Sequence, residues 1–334
     1  MYEQLNAQVS KIANMMMDNK SKIILVKHDN SMDINASIKK IDNKYIILLS
    51  SGVTVRIPIR MADFLKKYDE NDWKWFQDFE KVNLLDNRGQ VNNKEQESKL
   101  TEKLSNLFAS SIILNVVFHE CGHIIANHVD SIKSFNEVTN KKSILNVADQ
   151  EKEMVADWHS VIYHFWYMYS LIYDDKLKDG SKEDIINSLR HLTVFEWLSI
   201  CYEFALFDND NVAASLNKAH PHARIRLIAC LEAMYEAIID ILDATFQIND
   251  SASTLIATQI LNQEIFMIVS SFCQLSDIDI INKSWHDDNA IEQYIKLREY
   301  SGSFNNAKPD DHLAVLNSED KEMLKKIVSY LRQN

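Results

Sequence analysis

Two histidines four residues apart, at the end of a long apolar run, constrain the fold of this chain most. Residues 111–118 are almost all apolar and lead into H-E-C-G-H, from His119 to His123. Residues i and i+4 of an α-helix share a face, so both imidazoles could bind one Zn²⁺. Glu120 is rotated by about 100° from His119. It could act as general base on a water beside the metal. The motif therefore predicts a helix with a catalytic zinc site; the alternative is two surface histidines.

A second segment supplies a third ligand. Catalytic zinc takes three protein ligands and leaves one position for water. The segment 149–159 contains Glu153 and, one helical turn later, Asp157. Glu153 is the predicted ligand, and Asp157 could accept the outer N–H of a ligand histidine. Glu151 is the competing ligand, but no acidic residue follows it four positions on, so Glu153 is favoured.

These motifs resemble those of the gluzincin zinc metallopeptidases. The similarity is closest to members with H-E-x-G-H followed by E-x-x-A-D, which here runs from Glu153 to Asp157. A third segment, H-P-H-A-R-I-R-L from His220 to Leu227, is similar to the His-Pro-x-x-x-x-Arg-[Ile/Leu] segment of many of these enzymes. The resemblance covers about residues 100–235. The chain departs from the membrane-embedded members, which carry hydrophobic spans.

The resemblance implies an enzyme that hydrolyses peptide bonds of a protein or peptide and holds one Zn²⁺ per chain on His119, His123 and Glu153. Glu120 would take a proton from water and pass it to the leaving amine. Two alternatives stay open. One is a regulatory or binding protein on the same fold, and the other is a zinc hydrolase of small peptides or amides. An intact Glu120 argues against the first, because a structural site has no use for a base.

Hydrolysis builds negative charge on the former carbonyl oxygen, which needs a hydrogen-bond donor opposite the metal. His220, His222, Arg224 or Arg226 could supply it. Alternatively, His220 caps a helix, and Arg226 pairs with Asp157 or another acid and braces the helix of Glu153.

A looser resemblance connects the chain with the Lit-type phage-exclusion peptidases. The segment D-I-N-A-S-I-K-K-I from Asp33 to Ile41 contains Asn-Ala and precedes a second strand-like run from Tyr45. This resemblance implies a peptidase that cleaves a host translation factor on infection. It favours a restrained enzyme with few substrates, in defence against phage, over a housekeeping peptidase that clears unfolded chains.

The scarcity of helix breakers predicts a mainly helical fold. Only 5 glycines and 3 prolines occur in 334 residues. Four β-branched runs between residues 22 and 60, the last of them Val53–Ile57, predict a small antiparallel sheet. The expected fold is thus mainly α with a small antiparallel sheet (α+β), with a zincin-like core and additional C-terminal helices. An edge strand could receive an extended substrate, or the sheet could simply cover the helices.

We expect three parts along the chain, which could form one compact unit. Residues 1–95 hold a helix, the sheet and an aromatic-rich helix; residues 96–247 form the peptidase core; residues 248–334 are a helical extension. Residues 87–98 are polar and read as a linker, and residues 130–149 as a loop over the site. The expected core helices cover residues 99–129, 150–173, 181–206 with a capping box at Ser181, and 221–247.

Charge and targeting signals limit the partners. A net charge of −12 and a pI near 5.4 argue against nucleic acid or an anionic membrane as the main partner. We find no signal-peptide pattern, and residues 254–275 come closest to a membrane span but are interrupted by polar residues. The four cysteines show no C-x-x-C spacing. These features predict a cytoplasmic protein.

Two residues near the motif are expected to be structural. Cys121 lies about 200° from His119 around the helix, which favours a packed thiol. His128 lies about 140° from His123 on a continued helix. It is expected at the helix C-terminus, where the dipole favours it, and away from the ligand face.

Overall fold

The computed structural model describes residues 2–16, 23–66, 99–129, 142–172, 180–205, 221–246, 250–261 and 288–301. Within these ranges the protein is mostly helical, with one small three-stranded sheet. The helices are α1 (Tyr2–Met16), α2 (Ile57–Leu65), α3 (Lys99–Ile125), α4 (Lys142–Ile172), α5 (Lys182–Ala205), α6 (Ala223–Phe246), α7 (Asp250–Ile260) and α8 (Asp288–Ser301). The strands are β1 (Ile23–Asp29), β2 (Ala36–Ile41) and β3 (Lys44–Ser50).

The sheet is mixed and not purely antiparallel as predicted. Its strand order is β1-β3-β2, with β2 antiparallel and β1 parallel to β3. The predicted turn at Asp42-Asn43 is present, and it joins β2 to β3. Alternate residues of β3 are buried, among them Tyr45, Ile47 and Leu49, so one face of the central strand packs on the core.

The parallel pairing follows from the path of the link between β1 and β2. This link crosses the end of β3, where Ser50 N–H donates to the Asn35 carbonyl at 3.0 Å and Gly52 N–H to the Ser31 carbonyl at 3.2 Å. A Cβ on Gly52 would lie only 2.1 Å from the carbonyl oxygen of Asp33. Glycine therefore allows the crossing, which carries the chain from one side of β3 to the other.

The prediction of a fourth strand at Val53–Ile57 is wrong. Gly52–Arg56 form one π-helical turn that continues into α2. Val53, Ile57 and Met61 are fully buried and lie four residues apart, so the helical conformation buries one apolar face. Tertiary packing here outweighs the strand preference of β-branched residues.

One predicted helix start is wrong and another is confirmed. α4 begins at Lys142, so residues 142–149 are helical and not part of a loop; they contain no Gly or Pro that would break a helix. The capping box at the start of α5 is confirmed. Asp184 N–H donates to Ser181 Oγ at 3.2 Å, and Ser181 N–H donates to Asp184 Oδ2 at 2.9 Å. The predicted linker 87–98 and most of the residues beyond 261 lie outside the described ranges.

The core is continuous across the described elements, from Leu5 in α1 to Leu297 in α8. In the part of the chain that the structure describes, one helix, Glu102–Ile125, is long and apolar enough to cross a membrane. Of its most apolar window, 78% is buried inside the protein, as in the core helix of a soluble protein. Residues 254–275 lie mostly outside the described ranges.

Candidate metal centre

The centre forms where α3 and α4 cross at very close range. A Cβ on Gly122 would lie 2.7 Å from both the Cα and the carbonyl oxygen of Ala156. Two backbones can approach this closely only where the side chain is missing. The crossing brings the face of α3 with His119 and His123 against the face of α4 with Glu153.

These three side chains offer a donor set for one metal ion. His119 Nε2 lies 3.2 Å from Glu153 Oε2, and His123 Nε2 lies 3.5 Å from Glu153 Oε1. All three ligand atoms lie within 4.8 Å of one another. Two ligand atoms at the usual zinc bond lengths and a tetrahedral angle would be about 3.3 Å apart. The residues therefore fit a zinc ion. Glu151, the competing ligand, is buried and is not a member of this group.

A hydrogen bond on Nδ1, the nitrogen that does not face Glu153, sets the orientation of the His119 ring. Its Nδ1 lies 2.8 Å from Asp157 Oδ1, so Nδ1–H donates to the carboxylate and Nε2 is turned toward Glu153. Arg226 holds Asp157 with two hydrogen bonds of 2.7 Å, from Nε to Oδ2 and from Nη2 to Oδ1. The guanidinium carbon also lies over the Phe204 ring, 5.0 Å from its centroid. Arg226 could act as an oxyanion donor or as a brace for the helix of Glu153. Its two hydrogen bonds to Asp157, which lies on that helix, are those of a brace.

His123 has a partner that the sequence analysis missed. His123 Nδ1 lies 3.0 Å from Nδ1 of His128. The prediction that His128 lies about 140° from His123 assumed a continuous helix and is wrong, although His128 is not a member of the ligand group. α3 ends at Ile125, and Asn127, at φ 55°, adopts the left-handed conformation and redirects the chain. The positive φ of Asn127 could have been suspected, since Asn is favoured there.

The charges around the two histidines shift their pKa values in opposite directions. Burial disfavours the charged form of His119, but attraction and hydrogen bonding to Asp157, with a hydrogen bond to Glu153, outweigh it and raise its pKa to about 10. Burial and repulsion from His119 lower the pKa of His123 to about 4. Arg226 outweighs the effect of burial on Asp157 and lowers the pKa of its carboxyl. A metal ion would therefore replace a proton that His119 holds between two carboxylates.

Glu120 and Cys121 follow His119 on α3, and both are buried. Burial, and next the charge of Glu120, raise the pKa of the Cys121 thiol well above its usual range. The thiol therefore stays protonated at neutral pH and is unsuited to metal binding. This agrees with the packed thiol that the sequence predicts.

The candidate oxyanion donors differ in where they lie and what they contact. His220 lies outside the described residues. Nδ1 of His222 accepts the backbone N–H of Arg224 at 3.2 Å and so caps α6. Its proton is then on Nε2. Arg226 contacts the predicted site through Asp157.

A buried polar network lies behind the centre, and the sequence analysis did not identify it. Asn115 Nδ2 donates to Glu203 Oε2 at 2.7 Å, and Ser160 Oγ lies 2.6 Å from Asn115 Oδ1. Burial raises the pKa of Glu203 to about 7, against the lowering effects of the Asn115 hydrogen bond and of Arg226. An asparagine inside the apolar run 111–118 was the one sequence signal for this network.

No protein-family model, no curated protein and no solved structure matches this chain.

Proposed function

We propose that this protein is a zinc-dependent metalloendopeptidase. The observation that carries the proposal is the position of His119 Nε2 and His123 Nε2, 3.2 and 3.5 Å from the two oxygens of Glu153. Two imidazoles and one carboxylate are the ligand set of a catalytic zinc with an open position. A structural zinc site usually has four protein ligands, most often cysteines and histidines.

Each residue around the centre has a role in this proposal. His119, His123 and Glu153 hold the ion. When bound, zinc supplies a Lewis acid that polarises the scissile carbonyl and lowers the pKa of a water molecule. Glu120 accepts the proton of the attacking water and returns it to the leaving amine.

Asp157 and Arg226 position His119 for this role. A carboxylate held by two charge-assisted hydrogen bonds from one guanidinium has little freedom to rotate. Asp157 therefore presents a fixed acceptor to His119 Nδ1, which selects the tautomer with a free Nε2 and holds the ring in place.

The sheet provides a support for an extended substrate. β2 lies at an edge of the sheet, packs against α3, and has mostly exposed side chains. A peptide added to this edge would be read through its backbone, next to the helix that carries the motif. This mode suits a protein substrate better than a small amide. We further propose that the enzyme acts in the cytoplasm on few substrates, in defence against phage.

The test compares proteomes of cells that express the wild-type protein or Glu120→Gln. New protein termini that appear with wild type and not with Glu120→Gln would support a peptidase, and their absence under phage challenge would contradict the anti-phage proposal. Incubation of the purified zinc-loaded protein with casein addresses restraint, since rapid, unprompted digestion would contradict a restrained enzyme.

A further inference from the structure

The geometry points to His128 as a positioning residue that sets the tautomer of His123 and so prepares its Nε2 for the metal. The inference rests on the proposed zinc site. It goes beyond that site because His128 belongs to none of the three motifs and follows the helix that carries the two ligand histidines.

The distance between the two nitrogens carries the argument. His123 Nδ1 and His128 Nδ1 are 3.0 Å apart, the separation of an N–H···N hydrogen bond, so one proton lies between them. A metal on His123 Nε2 requires that nitrogen to be unprotonated. The neutral ring then carries its proton on Nδ1 and donates it, and Nδ1 of His128 must be the acceptor. His128 is consequently protonated on Nε2.

The backbone holds His128 in this place. After α3 ends, Ala126 N–H donates to the Gly122 carbonyl at 3.0 Å and Asn127 N–H to the Ile124 carbonyl at 3.2 Å. The left-handed Asn127 then changes the direction of the chain, and the His128 ring lies against His123. Asn tolerates this conformation better than other non-glycine residues.

His128 is buried, so water does not easily replace it as the hydrogen-bond partner of His123. His128 is 7% exposed, and its ring is tilted by 59° against that of His123, with centroids 5.2 Å apart. The two ligand histidines are thus supported differently. His119 donates to a carboxylate that is itself bound by Arg226, whereas His123 donates to a neutral imidazole. A neutral acceptor orients His123 without adding a further negative charge beside Glu153 and Asp157.

The experiment measures zinc affinity by competition with a chelator in His128→Leu and His128→Asn. Leu removes the acceptor, and we expect the affinity to fall about 10–100-fold, as for other partners of metal ligands. Asn places an amide oxygen near the position of Nδ1 and should restore most of the affinity. His191→Leu, on α5, which supplies no candidate ligand, is the control and should bind zinc like wild type.

A second readout uses the unaltered protein, so the inference can be tested even if the Leu variant fails to fold. In the zinc-loaded chain, ¹⁵N spectra of the histidine side chains should show His128 protonated on Nε2 alone. A His128 protonated on Nδ1 would overturn the inference. Wild-type affinity in a folded His128→Leu, with zinc lost in His119→Ala, would also overturn it and leave the proposed zinc site standing. Full zinc retention in His119→Ala would instead overturn the site, and the inference with it.

Discussion

Gly122 packs directly on the backbone of Ala156, with no room for a side chain between the two helices. This contact sets the separation of α3 and α4 and, with it, the distance between the histidines of one helix and Glu153 of the other. The glycine inside the H-E-C-G-H motif is therefore part of the geometry of the candidate site, although it binds nothing itself.

Gly122→Ala should weaken both folding and zinc binding. Alanine on a helix is normally about 1 kcal/mol better than glycine, but its Cβ would lie 2.7 Å from Ala156. We expect a net loss of stability of about 1–3 kcal/mol, typical of overpacking, measured by denaturant unfolding. Ala156→Gly is the matched control, since it costs helix propensity without a clash and should keep zinc. A Gly122→Ala protein more stable than wild type would show that the helices can separate freely.

Glu120→Gln should change the rate and leave the metal in place. Glutamine has nearly the same shape, and Glu120 is not a member of the proposed ligand set. Bound zinc and unfolding midpoint should match the wild type, while turnover of a cleaved protein substrate should fall by about 10²–10⁴-fold. Near-normal turnover would remove Glu120 from the mechanism.

Asp157→Asn should weaken zinc binding by about 10–100-fold, because an amide is a weaker partner for His119. It should also destabilise the fold, since it leaves the largely buried guanidinium of Arg226, 16% exposed, without its carboxylate. Breaking a buried ion pair from one side costs about 3–5 kcal/mol. Chelator competition and denaturant unfolding measure the two effects. Unchanged zinc affinity in a folded variant would mean that Asp157 does not position the histidine.

Glu203 should make stability depend on pH. Its carboxyl pKa is 4.5 in a model peptide and about 7 in the folded protein. The folded state therefore binds more protons than the unfolded state between these values, and stability falls as the pH rises from 4.5 to 7. The loss from this group is about 3 kcal/mol and is complete above pH 7.

Glu203→Gln isolates this effect, because its amide is neutral at every pH and can still accept from Asn115. The stability of the variant relative to wild type should increase by about 3 kcal/mol between pH 4.5 and 7.5, measured by denaturant unfolding at each pH. A difference that stays constant across this range would show that Glu203 is ionised in the folded protein throughout.

Sequence patterns were sufficient for features that depend on residues a few positions apart on one helix. The spacing of His119, His123, Glu153 and Asp157 follows from helical periodicity, and the Ser181 capping box depends on residues three positions apart. Each pair lies on one helix, and the close crossing of α3 and α4 at Gly122 brings the two pairs together.

Features that depend on distant contacts, or on a single break in helical periodicity, were missed or mistaken. Val53–Ile57 has strand-like residues but packs as a helix, and the direction of β1 depends on a crossing over Gly52. The contact of His128 depends on one left-handed residue, Asn127, which ends the helical periodicity used to place His128. The oxyanion donor stays a prediction, since His220 lies outside the described residues.

Metal analysis of purified protein tests the central claim most directly. Wild type should contain one zinc per chain, and His119→Ala, His123→Ala and Glu153→Ala should each lose most of it, while Glu151→Ala retains it. Full zinc in the three variants, or zinc lost in Glu151→Ala and kept in Glu153→Ala, would contradict the proposed centre.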